Sequence, residues 1–149
     1  MMHARGRWAQ VGIAIGVLGA VITLIGLFPT LTGFDPTPGI GIVQILTILV
    51  GFSLIIFGAF IFAQTTYYPG VKHTLIQQIG IRLSLTGLLG SAAAGLADVL
   101  GYGSNPPTAT QRPVLGIYQA AGLIGGFVIA AVGVLLFALY GNPPADDET

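Results

Sequence analysis

The chain carries the sequence of one helical hairpin twice, and that duplication limits its fold more than any other feature. Gln10-Val11-Gly12-Ile13 returns as Gln78-Ile79-Gly80-Ile81, sixty-eight residues later. At the same offset Gly19 meets Gly87, Gly33-Phe34 meets Gly101-Tyr102, and Pro38 meets Pro106. The second half recurs at an offset of seventy-five: Gly41-Ile42-Val43-Gln44 becomes Gly116-Ile117-Tyr118-Gln119, Gly51-Phe52 becomes Gly126-Phe127, and Gly58 becomes Gly133. A seven-residue insertion after Pro107 accounts for the change of offset. Self-similarity of this kind dictates architecture, because each copy must form the same local structure. Repeat 1 covers about residues 10–66 and repeat 2 about 78–140, within a single membrane domain over 1–149 that ends in a short acidic tail, 141–149.

The charge distribution says where such a hairpin lives. Soluble domains are about 25% charged, whereas this chain has five basic and five acidic residues among 149. No charge falls between Trp8 and Phe34, Pro36 and Val71, Leu83 and Ala97, or Pro113 and Ala145. A helix crosses a hydrocarbon core of about 30 Å with roughly 20 apolar residues. Four segments meet that length: Trp8–Phe28, Ile40–Thr66, Gln77–Leu100 and Val114–Tyr140. The expected fold class is an all-α integral membrane protein, a four-transmembrane-helix bundle built from two tandem helical-hairpin repeats. Met1–Arg7 resembles the basic start of a signal peptide. The apolar run to Phe28 exceeds the usual core of about 7–15 residues, however, and the first repeat would be cut by cleavage, so the segment reads as a retained helix.

Short loops rich in Lys and Arg stay on the cytoplasmic side. Four spans put both termini and the middle loop on one face, with Arg5, Arg7, Lys72 and Arg82, against Arg112 alone on the other. Both termini are therefore expected in the cytoplasm, with the chain in the cell membrane. Trp8, Tyr67, Tyr68 and Tyr140 read as inner interface anchors, and Phe34, Tyr102 and Tyr118 as outer ones.

Glycine supplies the packing argument. Gly12, Gly19 and Gly26 recur at seven-residue intervals, matched by Gly80, Gly87 and Ala94; Gln44, Gly51 and Gly58 form a second stripe, matched by Gln119, Gly126 and Gly133. A seven-residue stripe stays on one side of a left-handed helix pair. In lipid, small residues let helix backbones approach and accumulate van der Waals contact. Gly12, Gly19, Gly51, Gly58, Gly87, Gly126 and Gly133 are the candidate helix-packing positions.

Candidate chemistry is sparse. The absence of cysteine excludes disulfides and thiol catalysis, and the two histidines, His3 and His73, lie outside the apolar spans. No carboxylate sits mid-span, where proton-coupled carriers commonly place one. No catalytic, cofactor-binding or metal-ligating set is expected, nor a nucleic-acid partner. Gln44 and Gln119, at equivalent repeat positions, are candidates for a polar clamp or vestibule. Asp98, near the end of the third span, is a candidate for an outer ion pair with Arg112. Thr23, Thr47, Ser53, Thr86 and Ser91 are each expected to bond a backbone carbonyl one turn back. The expected function is a small structural or assembly subunit of a larger membrane complex, with lipid and other integral membrane subunits, or its own copies, as partners. The alternative is a small channel or carrier for a neutral or weakly polar solute.

Overall fold

The computed structural model describes residues 2–33, 40–102 and 115–142, without the side chains of residues 2–5 and 32. Four long helices account for most of these residues: α1 (Met2–Leu27), α2 (Ile42–Tyr67), α3 (Leu75–Gly95) and α4 (Ile117–Leu139). A single 3-10 turn, Pro29–Thr32, follows α1. Three stretches, Gly6–Leu27, Ile42–Tyr67 and Ile117–Leu139, are long and apolar enough to cross a membrane.

α3 departs from the membrane span expected over Gln77–Leu100. Its 21 residues rise about 31 Å at 1.5 Å per residue, so length is sufficient. It is less apolar because Gln77, Gln78, Arg82, Ser84, Thr86 and Ser91 fall within it. It also stops at Gly95 rather than running to Leu100. Beyond it the chain continues in turns, closed by Tyr102 N–H to Ala97 O (2.9 Å) and Gly101 N–H to Asp98 O (3.3 Å). That pair of bonds satisfies last-turn carbonyls and needs a left-handed residue, which glycine supplies without strain. Gly101 has φ 82°, and Gly33, its counterpart sixty-eight residues earlier, has φ 78°.

The helices pack mainly in consecutive pairs. α1 lies along α2 and α3 along α4, while α2 touches α4 and α3 more lightly. Two small cores fill the junctions between pairs: Ile45, Leu49 and Leu123 toward one end, and Ala63, Tyr68 and Phe137 toward the other. Between them Phe52 stacks on Phe127, with ring centroids 4.0 Å apart and planes at 24°. Large apolar side chains otherwise face outward on every helix, among them Val17, Val50, Leu89 and Leu135. Water opposes so apolar an exterior, and a hydrocarbon solvent does not.

Candidate functional site

The two helix pairs meet along backbone seams. In the first pair, a Cβ placed on Gly12 would stand 2.7 Å from Phe62 N and 2.9 Å from Gly58 O. One on Gly19 would stand 2.5 Å from Gly51 O, and one on Gly26 2.7 Å from the Ile48 side chain. The second pair repeats the match: a Cβ on Gly80 would stand 2.5 Å from Gly133 O, and one on Gly87 would stand against Gly126 O and Ala130 N. Every candidate packing glycine therefore has another helix where a side chain would go. Gly16, Gly90 and Gly125 have open space around the same position.

The second seam has a polar component that the sequence reading missed. Gln77, Ser84 and Ser91, again seven residues apart, are buried on the face of α3 turned to α4. Each donates to a main-chain carbonyl of α4: Gln77 Nε2 to Phe137 O (3.2 Å), Ser84 Oγ to Ala130 O (2.7 Å) and Ser91 Oγ to Leu123 O (2.8 Å). Ser91 was expected to bond its own helix, and here it does not. The reason is proximity, since Gly126 opposite it leaves the α4 backbone within reach of a short hydroxyl. The other four hydroxyls do bond one turn back: Thr23 to Gly19 O, Thr47 to Val43 O, Ser53 to Leu49 O and Thr86 to Arg82 O.

The ladder ends in a clasp between the α2–α3 link and the end of α4. The last carbonyls of a helix have no partner within it, and three side chains supply partners here. Gln77 takes Phe137 O, the Tyr68 hydroxyl donates to Ala138 O (2.7 Å), and the Thr74 hydroxyl donates to Tyr140 O (3.0 Å). Gly141 N–H in turn donates to the Tyr68 hydroxyl (3.1 Å). Thr74 and Gln77 also cap the start of α3 reciprocally, at 3.2 and 3.0 Å. Tyr68 is therefore a buried fastening, 7% exposed, and not the interface anchor expected. Trp8, Tyr67, Tyr102, Tyr118 and Tyr140 are exposed, and Phe34 lies outside the described residues.

The opposite end of the molecule holds the other candidates. Gln44 and Gln119 share no hydrogen bond. Gln119 Oε1 is taken locally by Gly116 N–H at 2.7 Å, which caps the start of α4, and its buried Nε2 has no partner among the described residues. Asp98 Oδ1 is also buried without a partner among the described residues, and borders a small cavity of about 20 Å³ with Ile45, Gly95 and Leu115. Arg112, its expected ion-pair partner, lies outside the described residues.

A larger cavity, about 390 Å³, opens between α2 and α3 over Phe137. Aliphatic and aromatic side chains line it, with Gln64, Thr65 and His73 at its loop end and Ser84 on its α3 wall. His73 Nε2 and Gln64 Oε1 are 2.8 Å apart across that end, and the His73 ring meets Phe137 edge-on at 5.4 Å. No protein-family model matches the chain, and neither curated proteins nor solved structures include a significant match to it.

Proposed function

We propose that the chain is a small structural subunit of the cell membrane. In this reading it forms a four-span bundle of two tandem hairpins, with both termini cytoplasmic, and braces or assembles a larger membrane complex without catalysing a reaction. The observation that carries the reading is the use made of its interior. Both seams are filled by backbone against backbone, as the contacts at Gly19, Gly51, Gly87 and Gly126 describe. Where the pairs meet, Phe52 stacks on Phe127. These two occupy equivalent repeat positions, and contact between equivalents is what a twofold relation between hairpins produces. At that level the interface is filled by stacked rings, which supports a packed interior. The outward faces remain apolar and free for lipid or other subunits.

Purification in mild detergent, with identification of what co-migrates, tests this. Recovery at fixed stoichiometry with a larger membrane complex is the expected result, and a homogeneous small oligomer of this chain alone would refute it. One observation favours the solute channel or carrier instead: Asp98 Oδ1 and Gln119 Nε2 are buried and have no partner among the described residues, an acceptor and a donor able to hold a neutral polar solute. Solute flux into protein-containing liposomes, absent from empty ones, would promote that reading.

A further inference from the structure

We infer that the cavity between α2 and α3 is a binding site for one acyl chain of an anionic phospholipid, taken from the leaflet at the α2–α3 loop end. The inference rests on the membrane-spanning reading above and adds a specific ligand to it.

Three features select this occupant. The first is depth. On α2 the cavity runs from Ile56 to Thr65, and Ile56 lies near the middle of a helix spanning Ile42–Tyr67. Nine residues rise about 14 Å, close to half of a hydrocarbon core of about 30 Å. The cavity is thus one leaflet deep, and its volume of about 390 Å³ lies within the usual ligand-site range of roughly 300–1,000 Å³.

The second is polarity. Phe57, Phe60, Ile81, Leu85 and Leu88 line the length of the cavity. The hydroxyl of Ser84 is already committed to Ala130 O. The other polar side chains of the lining, Gln64, Thr65 and His73, stand at the loop end, where the Gln64 amide joins His73 to Tyr68 O in a hydrogen-bonded rim. A polar group at one end and an apolar slot one leaflet deep match an amphiphile lying along the bilayer normal.

The third is charge. Lys72 precedes the rim residue His73, and Arg82 follows the lining residue Ile81; both basic residues are exposed. Among the described residues the one carboxylate, Asp98, sits past the far end of α3. Basic residues beside an inter-helix slot at the membrane surface favour anionic headgroups.

The test uses the full chain in mild detergent, with native mass spectrometry after addition of phosphatidylglycerol or phosphatidylcholine. Wild type should retain one phosphatidylglycerol in preference to phosphatidylcholine. Leu85→Trp, at a position 46% exposed, should fill the slot and abolish retention of both lipids. Lys72→Gln with Arg82→Gln should keep chain binding but lose the preference, by about fivefold for each basic residue removed. Equal retention by wild type and Leu85→Trp would overturn the site, and equal retention of both lipids by wild type would overturn the headgroup assignment. Circular dichroism confirms that each variant is folded. Flotation of wild type with phospholipid vesicles checks the membrane reading separately, since its failure would remove that reading and not merely the slot.

Discussion

Adding one methyl group should have opposite effects at Gly51 and Gly125, although both are helical glycines. In Gly51→Ala the new Cβ would stand 2.5 Å from Thr23 N, 2.5 Å from Thr23 Oγ1 and 2.8 Å from Gly19 O. Ordinary contact begins at 3.4 Å, so the nearest atoms are about 1 Å too close, and two of the three belong to the backbone of α1. A backbone cannot rotate away as a side chain tip does, so α1 and α2 must separate. A gap of 0.5–1 Å already forfeits roughly a quarter to a half of each van der Waals well, and the loss applies along the seam. Overpacking of this kind costs about 1–3 kcal/mol. At Gly125 nothing lies within 4 Å of the same position, and the intrinsic preference of a helix for alanine over glycine contributes about 0.8–1.0 kcal/mol in favour of the variant. That preference acts at Gly51 as well and cancels in the comparison, so the expected separation between the two variants is the overpacking cost, about 1–3 kcal/mol. Reversible unfolding of the detergent-solubilised protein measures it, with Gly126→Ala and Gly90→Ala as the matching pair in the second hairpin. Equal stabilities for Gly51→Ala and Gly125→Ala would refute the seam.

Other perturbations probe the remaining contacts. Gly51→Leu and Gly126→Leu should each impair assembly more than Ile129→Phe, at an exposed position, as read by recovery of folded protein. Ser84→Ala and Ser91→Ala should each destabilise by about 0.6–1.7 kcal/mol, the measured range for hydrogen bonds between membrane helices, whereas Thr86→Ala, which loses only a bond within its own helix, should change the melting temperature little. Tyr68→Phe keeps the ring contact with Phe137 but removes both hydrogen bonds of its hydroxyl; a loss of about 1–3 kcal/mol is expected, with faster proteolysis after Leu139. For topology, an impermeant thiol reagent on intact cells should label Asn105→Cys and spare Ala145→Cys, and the reverse pattern would contradict cytoplasmic termini.

The positions of the helices and of their glycine stripes were legible because both are periodic properties of one segment at a time. Gly12 and Gly19 mark a close approach because they recur at a seven-residue spacing on one helix face and return as Gly80 and Gly87 in the second repeat. Partner choice is not local, and there the sequence reading failed. Ser91 reads like Thr23, its counterpart sixty-eight residues earlier, yet Thr23 bonds Gly19 O while Ser91 bonds Leu123 O. Tyr68 looks like an interface anchor until the end of α4 is brought beside it. Symmetry suggested that Gln44 and Gln119 pair, but a free amide N–H at the start of α4 captured the Gln119 carbonyl first. The seven-residue spacing of Gln77, Ser84 and Ser91 was visible in the sequence. Its meaning depended on knowing that Gly80 and Gly87, on the same helix, had already drawn α4 close.

The unequal chemistry of the two seams explains why α3 is the least apolar helix. In a bilayer an unpaired amide or hydroxyl costs several kcal/mol, and α3 buries three whose donors bond outside it: Gln77, Ser84 and Ser91. Each finds its acceptor on α4, so the penalty is removed only while the two helices are paired. The corresponding positions of α1 are Ala9, Gly16 and Thr23, of which the last is satisfied within its own helix. At these positions α1 therefore makes no such demand on its partner, and among the described residues its union with α2 shows close backbone packing and no side-chain hydrogen bond between the helices. The second hairpin adds directional bonds to the same backbone approach, and those bonds fix its register, since a shift of one residue would leave three buried donors without acceptors. One hairpin holds by fit and the other by fit and hydrogen bonding, and the clasp at Tyr68 ties the end of α2 to the more strongly specified of the two.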